Sequence, residues 1–164
     1  MKKMIATYAL LMVLSMIFVS CEHKELCYSH PHSAKVSVEF EWSQMPAAYS
    51  PGGMRVIFYP RSGGEEIVRD FVGKRGGCVE IPSGVYDVVC FNNDTQRVKY
   101  NGAGSFSSIA ATTGVAQVGD VKAFRTPDYL CGGRLAAVVV EVKIGCEQTI
   151  VLPVAPMVCR YTYT

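Results

Sequence analysis

The sequence lacks any long block of like charge and any apolar run that would comfortably cross a membrane. Its 16 lysines and arginines and 14 aspartates and glutamates are spread along the chain, so it does not indicate nucleic acid or an acidic surface as a partner. The uncharged run at residues 4–20 is shorter than the ~20 apolar residues of a spanning helix. Because Lys2 and Lys3 precede this run and small residues end it, it is typical of a secretory signal.

Histidine is absent from the chain after residue 32, since all three histidines are His23, His30 and His32. A Ser-His-Asp or Cys-His arrangement would therefore need this segment to fold back, because a general base must lie within hydrogen-bond reach of its proton. The glycine-rich stretch GAGSFS, residues 102–107, lacks the third glycine of a phosphate loop, and no helical pattern follows it. We predict that the protein is not an enzyme and takes no cofactor.

Residues 22–33 are polar, lack periodicity and are interpreted as a tether. They contain Cys27, His30 and His32, which are zinc-type ligands. Their spacing is not that of a zinc finger, no second cysteine pair follows, and Pro31 fixes the backbone between the histidines. A plain linker is the preferred interpretation, and a metal site stays open as the lesser alternative.

The seven cysteines can form disulfide bonds if the chain is exported, and six remain if Cys21 has another role. Cys90 and Cys159 lie in apolar, strand-like segments, so we predict that they are small buried side chains. Three others lie near loops or ends of predicted elements. These disulfide candidates, for which the sequence gives no pairing, are Cys27, Cys131 and Cys146.

Strand patterns recur along the chain, whereas no helical period occurs beyond residue 20. Residues 34–43 alternate, with apolar Val36, Val38 and Phe40 on one face and polar or charged side chains on the other. Residues 102–128 are irregular and predict a long loop or crossover with one or two short strands. Together these patterns predict an all-β fold, an antiparallel β-sandwich or barrel. The other predicted strands cover 54–60, 67–72, 78–82, 85–93, 97–101, 134–145, 147–154 and 157–164.

The last predicted strand, residues 157–164, alternates up to the final residue, and no turn or polar tail follows it. We interpret this as a domain boundary or as a cut in a longer protein. If the strand lacks a partner, its edge is a site of association. The candidate residues of this partner-binding edge are Val158, Arg160, Tyr161 and Tyr163.

The stretch FVSC, which ends the uncharged run, resembles a bacterial lipobox, although Phe18 stands where leucine is usual. The resemblance implies cleavage before Cys21, which would then carry diacylglycerol and a further acyl chain. Two or more chains give stable anchoring where one does not. The predicted organisation is a lipoprotein signal peptide at 1–20, a lipidated N-terminus and tether at 21–33, and a β-sandwich domain at 34–164.

Five segments carry a wider resemblance: CEHKELCYSHPHSAKVSVEFEW, MRVIFYP, IPSGVYDVVCFNNDT, TPDYLCGG and VCRYTYT. They resemble an uncharacterised family of Bacteroidetes lipoproteins that is grouped with fimbrillin-like and Mfa-type fimbrial anchor proteins. The most specific parts are the segment just after Cys21 and the run at residues 92–95. The resemblance covers most of residues 21–164, and residues 102–128 fit it poorly.

The resemblance implies a transthyretin-like, Greek-key β-sandwich, usually the first of two such domains. Members of the family commonly continue well beyond the position of Thr164, so the second domain is expected to be missing from this sequence. It implies a lipid-anchored protein of the outer membrane, exposed at the cell surface near a pilus. The expected partners are the membrane, through the lipid, and a fimbrillin-like pilin that donates a strand.

A rival hypothesis is a surface lipoprotein that binds carbohydrate or another nutrient. Such a protein should group exposed aromatic side chains on one platform, whereas the single tryptophan, Trp42, lies in the apolar phase of a predicted strand. An inert, truncated fragment of a two-domain protein is a third hypothesis.

Overall fold

The fold consists of strands, turns and loops throughout residues 33–142 and 148–158, which are the residues described by this computed structural model. Across these ranges there is no helix of the length and apolarity needed to cross a membrane. The all-β prediction is confirmed. The strands of the described part are β1 (Ser33–Glu41), β2 (Gly53–Pro60), β3 (Ile67–Val72), β4 (Gly77–Pro82), β5 (Gly84–Asn92), β6 (Val98–Asn101), β7 (Ala110–Thr113), β8 (Val115–Val118), β9 (Val121–Phe124), β10 (Cys131–Val140), β11 (Gln148–Pro153) and β12 (Ala155–Pro156).

Two main sheets make up the sandwich. One has three strands in the order β11-β1-β4, and the other has five in the order β12-β10-β5-β2-β3. Most pairs are antiparallel, but β1 and β11 run parallel, with Val36 opposite Gln148 and Phe40 opposite Leu152. The predicted antiparallel β-sandwich is confirmed, but the parallel direction of this pair was not predicted, because alternation reveals which side chains share a face and not strand direction.

The main core lies between these two sheets. Val36 and Val38 of β1 are fully buried, Phe40 and Trp42 are half-buried, and the charged residues between them face solvent, so the predicted faces are confirmed. Each large side chain buried here contributes about 1.5–3 kcal/mol. The largest fully buried side chains of the core are Phe58, Met54, Ile81 and Leu152.

The outer face of the five-stranded sheet carries a second apolar layer. Ile57 and Tyr59 of β2 and Val89 and Phe91 of β5 point away from the main core and are nonetheless buried. The segment that connects β5 to β10 covers them, and its contacting side chains are Tyr100, Ala103, Phe106 and Ile109. This explains why β5 is apolar on both of its faces.

Residues 102–128 hold three short strands, so the prediction of one or two is wrong. β7 pairs with β6, and β8 pairs with β9 through a two-residue turn at Gly119 and Asp120. Gly119 has a φ of +62°, which glycine adopts without strain and which such turns require. Small and polar residues dominate this region, so its alternation is too weak to predict strands.

β10 begins earlier and ends earlier than predicted, and its register shifts between Leu135 and Val138. Its early start depends on glycine, because a Cβ on Gly133 would lie 1.8 Å from the carbonyl oxygen of Pro153.

At the predicted last strand, Met157 and Val158 form a bend rather than a strand, and residues 159–164 lie outside the described ranges. The remaining predicted strands agree with the structure to within one or two residues.

Candidate partner-binding groove

An open groove of about 460 Å³ lies beside the start of β10. The β6–β7 hairpin forms one wall, and the segment that leads into β10 forms another. Met157 and Val158 form the third side. Most of the side chains that meet here are apolar or small. The lining residues are Val98, Ile109, Ala111, Thr112, Thr113, Pro127, Leu130, Arg134, Met157 and Val158.

β7 is an edge strand as well as a wall of this groove. Among the described strands its sole neighbour is β6, so one row of its backbone N–H and C=O groups pairs with no strand. Such a row is a template for pairing with another chain. The side chains of Ala110 and Ala111 are small, so a second strand can approach this edge closely.

The last described residues extend the pairing of β10 towards the groove. β12 is opposite Cys131 and Gly132, and the backbone N–H of Met157 then donates to the carbonyl oxygen of Leu130 at 2.8 Å. Val158 follows and lines the groove. Of the four predicted edge residues, this is the one that the structure describes.

Arg134 holds the two sides of the groove together. Its guanidinium Nη2 donates to the carbonyl oxygen of Ile109 at 2.9 Å. The guanidinium carbon, Cζ, lies over the ring of Phe106, 5.3 Å from the ring centroid. The bond joins β10 to the segment that covers the outer face. The role of Arg134 was not predicted from the sequence, because its partners are far away in the chain. An arginine on a strand face is usually interpreted as a solvent-exposed side chain.

A polar network around the buried Asn92 fixes the other wall. The side-chain amide of Asn92 donates to Asp94 Oδ1 at 2.7 Å and to the carbonyl oxygen of Tyr129 at 3.0 Å. Its Oδ1 accepts the backbone N–H of Cys131 at 2.8 Å. Asp94 Oδ2 in turn accepts the N–H of Gly52 at 2.7 Å. The run at residues 92–95 thus positions the segment that enters β10.

Asp128 anchors the base of the β6–β7 hairpin. Its Oδ2 accepts the backbone N–H groups of Gln96 and Arg97 at 2.7 and 2.6 Å. These donors hold the pKa of the Asp128 carboxyl below its usual value. The bonds fix the chain just before Val98, which lines the groove.

Cys131, a disulfide candidate, is fully buried at the start of β10 and forms no disulfide bond with any cysteine of the described ranges. Its thiol donates to the hydroxyl of Tyr49 over 3.8 Å, and burial raises its pKa. Cys90 is also fully buried, as predicted. The other predicted site residues lie outside the described ranges; they are Cys21, Cys27, His30, His32, Cys146, Arg160, Tyr161 and Tyr163.

The exposed aromatic platform that the rival hypothesis requires is not found in residues 33–142 and 148–158. Trp42 is half-buried against the core, and its Nε1–H donates to the carbonyl oxygen of Lys74 at 3.2 Å. Tyr59 and Tyr86 are 7% and 3% exposed. The large apolar side chains that are exposed in these ranges are valines and one methionine.

Comparisons with known proteins give two relatives from Bacteroides ovatus. A protein proposed to be the fimbrium anchoring subunit Fim4B is 32% identical over 109 residues, which are 65% of this chain and 32% of the relative. The crystal structure of a proposed adhesin superimposes with a TM-score of 0.67 at 25% identity, over 84% of this chain and 49% of that one. The chain thus spans about a third and about half of their respective lengths.

The match with a protein family is wider, because it begins just before Cys21 and extends to Thr164. The family is described as "Domain of unknown function (DUF5119)", and its match spans residues 20–164. The chain belongs to this family.

Proposed function

We propose that the chain is a fimbrial anchor or accessory subunit of the bacterial cell surface and that it binds a pilin subunit by accepting an extended strand. The names of both relatives and the β-sandwich fold support a fimbrial or adhesin-like surface protein. One observation carries the strand-binding part: β7, which has an unpaired edge among the described strands, lines a largely apolar groove. The proposal assigns no catalytic activity to the chain.

Strand addition matches the chemistry of this groove. An added strand gains affinity from main-chain hydrogen bonds and specificity from pockets that receive alternate side chains. The four residues of β7 offer an edge of about 14 Å at ~3.4 Å per residue. Ile109 and Leu130, which are 7% and 4% exposed, give the groove an apolar lining. The expected donor is therefore a segment with apolar or β-branched side chains at alternating positions.

The proposal also includes the membrane anchor. A diacylglycerol group and an acyl chain on Cys21 would hold the protein in the outer membrane, and residues 22–33 would separate the sandwich from the lipid surface. Two or more chains are sufficient for stable attachment. No step of strand binding depends on the lipid, so lipid attachment and strand binding can be tested separately.

The groove is tested by an Ala111→Arg variant that is expressed in a fimbriated Bacteroides host and affinity-purified from the surface fraction. A long, charged side chain at this position should obstruct a donor strand, and we expect at least a tenfold loss of co-purified pilin. Val151→Arg is the matched control, because Val151 lies on β11 of the three-stranded sheet, away from the groove, and is 48% exposed. Equal recovery of pilin with both variants would refute the groove as the binding site.

A further inference from the structure

A second cavity, of about 290 Å³, opens on the outer face of the five-stranded sheet. Its walls are residues 59–61 at the end of β2, Asp87 of β5, and residues 104–107 of the loop between β6 and β7. We call it the polar pocket. It shares no lining residue with the groove, so the proposed function leaves it unexplained.

One side of the polar pocket is aromatic and held in place. The rings of Tyr59 and Phe106 meet edge to face, with centroids 6.2 Å apart. The Tyr59 hydroxyl donates to the carbonyl oxygen of Ala103 at 2.6 Å, and the guanidinium of Arg134 lies over the Phe106 ring. The aromatic wall therefore exists before any ligand arrives, which reduces the entropic cost of binding.

The other side carries a fixed carboxylate. Asp87 Oδ1 accepts hydrogen bonds from Arg61 Nε and from the backbone N–H of Ala137, each at 2.9 Å. It also forms an ion pair with Arg61 Nη2 at 2.7 Å. Its second oxygen, Oδ2, accepts no hydrogen bond from the described residues. The carboxylate is thus oriented through one oxygen while the other keeps its capacity to accept.

Two hydroxyl groups and a balanced charge complete the polar pocket. Ser105 Oγ and Ser107 Oγ lie 3.0 Å apart on the loop wall, and each can donate as well as accept. Because Arg61 neutralises Asp87, the lining has no net charge that would select an anion or a cation. Its polar groups therefore suit a neutral ligand that is rich in hydroxyl groups.

We propose that the polar pocket binds one ring of a neutral saccharide. The apolar C–H face of a sugar would pack on Phe106, and neighbouring hydroxyls would bond with Asp87 Oδ2 and with the two serines. Sites of this kind combine an apolar or aromatic surface with a few well-placed polar groups. The cavity volume suits a single ring rather than a chain of several, so binding is expected in the millimolar range.

The test is saturation-transfer NMR on the purified chain with the methyl glycosides of glucose, galactose, mannose and N-acetylglucosamine, each at about 10 mM, which suits weak binding. We expect transfer to the ring protons of at least one glycoside. A Ser105→Ala, Ser107→Ala double variant should bind it about fivefold or more weakly, since it loses two hydrogen-bonding groups. Asp87→Asn should weaken binding as well.

The matched control is Asp70→Asn, because Asp70 forms a second Arg–Asp pair on the same sheet face, with Arg55 at 2.7 Å, and lines none of the described cavities. This variant should bind the glycoside as the unaltered chain does. Three results would each overturn the proposal. They are no transfer to any of the four glycosides, equal binding by the double-serine variant, and complete displacement of the glycoside by sulfate.

Discussion

Asn92 stands out among single residues because it is polar and only 1% exposed. Its side-chain amide bonds with nearby Asp94 and with Tyr129 and Cys131, which lie in a segment far along the chain. An Asn92→Ala variant leaves the buried N–H of Cys131 without its acceptor, and a stranded buried group costs about 1–3 kcal/mol. Because the whole network loosens, we expect the free energy of unfolding to fall by roughly 2–4 kcal/mol. Urea denaturation of the purified chain measures this loss.

Asn101→Ala is the control for Asn92→Ala. Asn101 is exposed at the end of β6 and donates to Thr112 Oγ1 at 3.1 Å, so its loss should cost well under about 1 kcal/mol. If both variants unfold at the same urea concentration, the buried network contributes nothing specific to stability.

Ala137 has a φ of +56° in the register shift of β10. The Cβ of an L-residue disfavours this left-handed conformation, and the Asp87 carboxylate holds the backbone by accepting the N–H of Ala137. Ala137→Gly should therefore raise the free energy of unfolding by about 0.5–1 kcal/mol. Ala136→Gly, at a neighbouring position without positive φ, should lower it by roughly 0.5–1 kcal/mol. Thermal denaturation measures both changes. If the two variants change the free energy of unfolding in the same direction, backbone strain at Ala137 does not explain the effect.

The predictability of single residues depends on where their partners lie. The alternation at Val36 and Val38 identifies buried positions, because burial on a strand follows from local spacing. The roles of Asn92 and Arg134 could not be predicted in this way. Their partners, such as Tyr129 for the first and Ile109 for the second, become neighbours only after folding.

The β8–β9 hairpin behaves differently from the strands of the sandwich. Within the described strands these two pair only with each other, and Val115 and Val121 are 54% and 66% exposed. A lone two-stranded ribbon is at best marginally stable. We expect amide hydrogen exchange at residues 115–124 to be among the fastest of the described strands and exchange at residues 84–92 to be among the slowest. Comparable protection in both segments would indicate a packing partner for the hairpin.

Strands were predictable where apolar and polar residues alternate, as in β1, or where a short run of β-branched and aromatic residues is bounded by turn signals, as in β2 and β5. β7, β8 and β9 were not resolved from one another, because alanine, threonine and glycine give little contrast between two faces. The parallel pairing of β1 with β11 could not be predicted either. It depends on how the chain crosses between the sheets, and neither strand carries a local signal of its neighbour's direction.

For the whole molecule, the proposal that can be tested most directly is the lipid on Cys21. A Cys21→Ala variant should lose the incorporation of a radioactive fatty acid and should move from the membrane fraction to the soluble fraction, because two acyl chains account for stable attachment. The measurement is metabolic labelling followed by fractionation. Label that persists in this variant would exclude Cys21 as the modified residue.

Cys78→Ala is the matched control, since Cys78 is an exposed cysteine within the sandwich. This variant should keep the fatty-acid label and should stay in the membrane fraction. The prediction of a lipid anchor rests on a short N-terminal pattern, which lies outside the described residues. The groove was not predictable, because its walls come from four separate parts of the chain and the sequence pointed only to the last of them.

The place of β1 in its sheet has a mechanical consequence. β1 begins at Ser33, directly after the proposed tether, and it lies between β11 and β4, with six residues in register on each side. A load from a fibre that is bound in the groove would reach the membrane through this strand. Pulled along its axis, β1 shears two hydrogen-bonded ladders together instead of unzipping one bond at a time. If the proposed lipid and strand binding are correct, the central place of β1 would make the domain resistant to force at the point where tension enters it.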